Sequence, residues 1–97
     1  MISLVAKMKI QPGKGAEFEA CFAQIAAKVR EVEPDTLLYK LTRAQDSSED
    51  YTVIEFYRSP EALALHLNNP ATKELMQGVG AFLAARPEMT VLDDVAA

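Results

Sequence analysis

The chain has 97 residues, with ten Lys and Arg scattered among fourteen Asp and Glu for a formal charge of −4, and one cysteine. That length allows a single domain over residues 1–97, which as a monomer would bury only about two-thirds of its unfolded-chain surface, so burial against a partner chain is expected to help. Dispersed cations leave no footprint for nucleic acid or an anionic membrane, no apolar run is long enough for a bilayer, and lone Cys21 closes no internal disulfide; neither partner is expected, and the expected location is cytoplasmic.

Residues 2–10 alternate, with Ile2, Leu4, Ala6, Met8 and Ile10 on one side and Ser3, Val5, Lys7 and Lys9 on the other, the period of a half-buried strand. The chain thus opens on a strand pattern rather than a basic stretch followed by an apolar signal segment, which fits the cytoplasmic expectation. Gln11-Pro12-Gly13-Lys14-Gly15 reads as a turn and lacks the spacing of a phosphate-cradling loop. Over 16–32 the apolar positions Phe18, Phe22, Ile25, Val29 and Val32 recur at intervals of four, three, four and three, the stripe of an amphipathic helix. Cys21 lies on that helix with no histidine near it in sequence, so packing is its expected role. Pro34 ends the helix by pushing Glu33 away from the α region. A strand follows over 36–43, with Leu37, Tyr39 and Leu41 on one face and Leu38, Lys40 and Thr42 on the other. The polar, turn-rich 44–50 joins it to the next strand as an antiparallel hairpin.

Residues 51–57 are dominated by β-branched and aromatic types and read as a strand. Ser59-Pro60-Glu61 then starts a helix, with a capping hydroxyl, proline at the first helical position and an acid in the first turn. So short a connection forces strand and helix to pack face to face. Glu55 in mid-strand and His66, the only histidine, two turns into the helix, then both reach the space between them, a candidate pocket. Asn69-Pro70 repeats the cap-then-proline signal, and Leu75, Met76, Val79, Phe82 and Leu83 predict a helix over 71–85, weakened by Gly78 and Gly80. Residues 89–95 alternate again as a fourth strand.

The order β-α-β-β-α-β, with its second helical part in two pieces, predicts an α+β domain of ferredoxin-like arrangement: a four-stranded antiparallel sheet with helices on one face. Yet the third strand is apolar on both faces, Val53 and Tyr57 on one and Ile54 and Phe56 on the other. The helix-free face therefore needs a cover, and a second copy of the same sheet in a homodimer supplies it.

Several side chains carry two readings. His66 shares a stripe with Leu63 and Leu67 and is either a histidine hydrogen-bonded for structure or a general base, since an unperturbed imidazole takes a proton near neutral pH. Glu55 is either exposed and paired with Lys40 across the strands or turned inward to orient His66. Tyr39 and Tyr57 are either core aromatics with satisfied hydroxyls or donors to a substrate oxygen. Met8, Met76 and Met89 fit core filling, and no His, Cys or carboxylate cluster has zinc or iron spacing.

The run 9–18 with Pro12-Gly13-Lys14 and Phe18, then Glu33-Pro34 followed by Leu38-Tyr39, then Glu55-Phe56-Tyr57, Glu61-Ala62, His66 and Asn69-Pro70, resembles the antibiotic biosynthesis monooxygenase (ABM) domain family over nearly the whole chain. The resemblance implies a dimeric α+β barrel, in which two ferredoxin-like sheets pack together and each subunit keeps a pocket between sheet and helices. Relatives so implied include cofactor-free oxygenases of hydroquinone-type aromatics, haem-degrading enzymes, and an isomerase of a phosphorylated signalling molecule. Two departures stand out. Many small quinol-oxidising relatives carry a second histidine where Ala71 stands here, and the haem-degrading members use a tryptophan, which this chain lacks. The isomerase needs cations for phosphate, a role open to Lys40 or Lys73.

Neither a metal nor a flavin motif is present, so no cofactor is expected. A deprotonated electron-rich phenol can pass an electron to O2 directly, and one base against a dry apolar wall then suffices. The expectation is a cofactor-independent monooxygenase of a small hydroquinone-like aromatic, with His66 and Glu55 catalytic and Tyr39 and Tyr57 binding substrate. An isomerase or tautomerase of a small carbonyl compound, and a noncatalytic dimeric ligand-binding protein, are the alternatives.

Overall fold

A computed structural model describes residues 1–96. Its elements run β1 (Ile2–Lys9), α1 (Gly15–Val32), β2 (Thr36–Arg43), β3 (Asp50–Tyr57), α2 (Pro60–Asn68), α3 (Pro70–Gln77), a 3-10 turn (Gly78–Phe82) and β4 (Glu88–Asp93). The strands line up β2–β3–β1–β4, and each neighbouring pair is antiparallel. This is the ferredoxin-like order expected from the pattern of elements.

Local chemistry explains the joints. Gln11 to Lys14 forms a turn closed by Lys14 N–H on Gln11 C=O at 3.1 Å, with Pro12 fixing one corner and Gly13 taking φ +78° at the next, where a side chain would be strained. Ser59 accepts from the Ala62 amide to cap α2, and Asn69 Oδ1 accepts from the Ala71 amide to cap α3. Proline follows each cap at the first helical position, where no amide is needed.

The core lies between α1 and the inner sheet face. Phe18, Phe22, Ile25 and Val29 of α1 are buried there with Leu4, Ala6, Tyr51, Val53 and Tyr57 of the sheet. Phe18 meets Tyr51 edge-on at 4.9 Å between ring centroids, and Phe22 stacks on Tyr39 at 5.1 Å. Register then sets the site: Glu55 lies opposite Leu4 of β1 and Tyr39 of β2, so all three share one row across the inner face.

Four expectations change. Val32 drops off the α1 stripe and is partly exposed, while Glu33, four residues beyond Val29, takes the buried position. Leu37 does not join Tyr39 and Leu41, because an irregularity between Thr36 and Leu38 breaks the alternation and leaves it exposed. The helix predicted over 71–85 stops at Gln77 and tightens into the 3-10 turn, since Gly78 and Gly80 weaken α-helix and the following backbone is drawn to β1. Gln11 N–H bonds Phe82 C=O at 2.9 Å and Ala84 N–H bonds Lys9 C=O at 2.8 Å, which prolongs the sheet edge instead. Finally β4 ends at Asp93, so Val95 lies beyond it.

The far face of the sheet carries no helix. Leu38, Phe56 and Leu92 fall in one row of that face and Val5 and Ile54 in the next. Phe56 is 38% exposed and Leu92 44% exposed.

Candidate functional site

Only Arg58 and Ser59 separate β3 from α2, so the helix turns straight back over the sheet and carries His66 above the Leu4–Glu55–Tyr39 row. His66 is 3% exposed, Glu55 5% and Glu33 8%. Each would be costly to bury alone, and each has partners. Nδ1 of His66 is 2.8 Å from Glu33 Oε1, while its Nε2 is 3.7 Å from Glu55 Oε1. Thr36 donates to Glu33 Oε1 at 2.8 Å, and Asn69 Nδ2 donates to Glu33 Oε2 at 3.0 Å. Tyr57 donates to Glu55 Oε1. Among the described residues no buried side-chain polar atom lacks a partner.

A carboxylate only accepts, so Nδ1 donates to Glu33, and in the neutral ring Nε2 is the nitrogen left with the lone pair, on the side of Glu55. The separation of 3.7 Å exceeds a hydrogen bond, and both residues line one cavity of about 360 Å³. Its walls are mostly apolar, including Leu4, Phe22, Ile25, Met76 and Met89; its polar side chains are Tyr39, Glu55, His66 and Gln77, with no Lys or Arg. A ligand hydroxyl placed over the gap would find two acceptors.

Electrostatics sort these groups by task. Burial pushes the Glu55 carboxyl above its ordinary value, opposed by the Tyr57 hydrogen bond and the nearby imidazole and reinforced by Glu33. Burial, followed by the Glu55 charge, raises both Tyr39 and Tyr57 far above neutral pH, so both hydroxyls stay donors. The Tyr39 and Tyr57 rings flank the imidazole at 5.2 and 5.4 Å between centroids. The arrangement sets a ring nitrogen, the neutral Tyr39 hydroxyl and a carboxyl with raised proton affinity around one cavity, with the second neutral donor, Tyr57, bonded to that carboxyl.

The family profile of antibiotic biosynthesis monooxygenase matches residues 1–78. The chain belongs to this family. A solved structure of a putative antibiotic biosynthesis monooxygenase from Caulobacter crescentus CB15 is 40% identical, with 98% of this chain and 90% of that one covered and a TM-score of 0.92. SnoaB of Streptomyces nogalater, a cofactor-independent oxygenase, superposes with a TM-score of 0.87 over 99% of this chain and 94% of that one at 22% identity. Rv0793 from Mycobacterium tuberculosis does so with a TM-score of 0.87 at 23% identity, over 99% and 96% of the two chains. These last two likenesses are of fold. No curated protein matches the chain.

In this ABM-family chain, three of the four side chains singled out from the sequence line the cavity together: His66, Glu55 and Tyr39. Tyr57 lies beneath them, fully buried, and touches the site through Glu55. Lys40 pairs in register with Ile54 on the far face, so the reading in which it neutralises Glu55 gives way to the inward one. Neither Lys40 nor Lys73 lines the cavity. Among the described residues no group of His, Cys and carboxylates is placed to hold a metal ion, and no helix is long and apolar enough to cross a membrane. Glu33 was read only as a helix end. The signal for it was its place on the buried stripe after Phe22, Ile25 and Val29, an ionisable group where an apolar one is due.

Proposed function

We propose that this ABM-family chain is a cofactor-independent monooxygenase of a small, neutral, electron-rich hydroxyaromatic, with His66 as general base. One observation carries the reading: a buried imidazole, its Nδ1 committed to Glu33, turns Nε2 with Glu55 onto a largely apolar cavity. A volume near 360 Å³ falls at the small end of ligand pockets, about 300–1,000 Å³.

In this reading the substrate O–H breaks as Nε2–H forms, and the phenolate left in a dry site gives one electron to O2. Superoxide and phenoxyl radical then join as a peroxide anion on a ring carbon bearing hydrogen, and the proton on Nε2 returns to it to give the hydroperoxide. Loss of that C–H proton with O–O cleavage leaves a carbonyl and releases hydroxide, which takes a proton to become water. One oxygen atom ends in the product and the other in water, and the substrate supplies all four electrons. Glu55, with its raised affinity for protons, suits proton return to the departing oxygen, and the Tyr39 hydroxyl suits donation to a substrate oxygen.

The homodimer and the cytoplasmic location belong to the same proposal, the first supported by the uncovered apolar row of Leu38, Phe56 and Leu92. A phosphorylated substrate is disfavoured by a cavity without Lys or Arg. A noncatalytic binder would be favoured by a histidine tied to backbone and walled off from any cavity, and His66 meets neither condition.

Oxygen uptake with a panel of hydroquinones and no added metal tests the activity. His66→Ala strips a partner from buried Glu33 as well as the base, so His66→Gln is the cleaner variant, since its amide can still donate to Glu33. It should lose about two to four orders of magnitude in turnover, the usual share of positioned proton transfer. A destabilised but fully active His66 variant would end the catalytic reading.

A further inference from the structure

We propose that Glu33 is the positioning residue that makes His66 a base, the task that the sequence pattern suggested for Glu55. The inference rests on the catalytic reading of His66 and adds to it the group that sets the tautomer and strength of the imidazole. Glu33 caps the end of α1, and donors from two other parts of the fold converge on it: Thr36 at the start of β2 and Asn69 at the junction of α2 and α3. With Nδ1 of His66 at 2.8 Å, three donors address its two oxygens and fix them in space. Glu55 sits at 3.7 Å from the other ring nitrogen and makes no hydrogen bond to it. Position therefore divides the two buried carboxyls: Glu33 holds the ring from behind, and Glu55 faces the cavity with Nε2.

This geometry has a chemical consequence. When Nε2 takes the substrate proton, the ring becomes an imidazolium whose Nδ1–H already points at a carboxylate. A charge of opposite sign at hydrogen-bond distance favours the protonated ring and strengthens the base. The same bond excludes the tautomer that would turn an N–H, rather than a lone pair, towards the substrate. Glu33 also lines a second, small hollow of about 100 Å³ that shares no wall residue with the cavity, with Asp35, Ala62 and Leu65 among its walls. A small carboxylate could enter there if the side chain were removed.

His66 is the only histidine in the chain, so its ring resonances are unambiguous in nuclear magnetic resonance. In the unaltered protein the nitrogen shifts of the neutral ring should report Nδ1–H with Nε2 bare. In Glu33→Gln, which keeps an oxygen for Nδ1–H, the ring should titrate at lower pH, and the acid limb of kcat/KM should move down with it. Its kcat should fall about 10- to 100-fold, as outer partners of a working imidazole commonly contribute. In Glu33→Ala, formate or acetate should restore part of the lost kcat. An Nε2–H ring in the unaltered protein, or a Glu33→Gln variant whose ring titration and acid limb stay in place, overturns the proposal. Activity fully retained in His66→Gln instead overturns the base itself, so the two failures are distinguishable.

Discussion

At the scale of the residue, the site concentrates ionisable side chains where water is scarce, and hydrogen bonds decide what each one does. Glu55 differs from the usual native carboxylate, because burial raises its pKa instead of a partner lowering it. The sign for stability follows. Between the unfolded value of 4.5 and the higher folded value, the native state holds more protons than the unfolded state. Stability attributable to this carboxyl is therefore lost as pH rises through that window. Glu55→Gln removes the titration while its amide oxygen can still accept from Tyr57. Melting temperatures of both proteins between pH 4 and 8 should show the variant gaining on the parent as pH rises; parallel curves would mean that Glu55 is not buried as described.

At the scale of the element, the strands and α1 were legible because period-two and period-3.6 patterns survive in the sequence, and the 36–43 strand falls where its pattern places it. Part of what failed was set by distant chain. The 3-10 turn forms because residues 82 and 84 find backbone partners at 11 and 9, a contact invisible in a local window. Glu55 and His66 could be paired from the two-residue connection between their elements, whereas Glu33 meets His66 across 33 residues of chain. Asn69 shows how an element end can serve the site: its oxygen caps α3 and its amide nitrogen holds Glu33. Asn69→Asp should keep the cap, since Asp and Asn cap about equally well, but set a second carboxylate against Glu33. One of the two would then be protonated more readily folded than unfolded. The loss in melting temperature should thus be largest near neutral pH and shrink as pH falls through the carboxylate range; a pH-independent loss would assign the effect to the cap alone.

At the scale of the whole molecule, helices cover one face of the sheet over β1 to β3, leaving Met89 and Val91 of the edge strand β4 exposed on that side, and leave the other face with its own apolar row. The cavity belongs to the covered side, so the second face is free to serve assembly without obstructing the site. Leu38, Phe56 and Leu92 lie side by side there across β2, β3 and β4, with Ser3 of β1 among them and Val5 and Ile54 adjacent. A patch of this kind gains most from an identical patch, since a two-fold axis matches row to row in one operation. Light scattering at micromolar concentration should therefore give about twice the 10.6 kDa chain mass. Phe56→Glu would place an unpaired charge in that interface, at a cost of several kcal/mol when buried, and should yield the single-chain mass. As a control, Leu65→Glu alters an exposed leucine of α2 on the helix side and should leave the mass doubled. A single-chain mass for the unaltered protein would refute the homodimer, while a Phe56→Glu protein that stays at twice the chain mass would move the interface off this face.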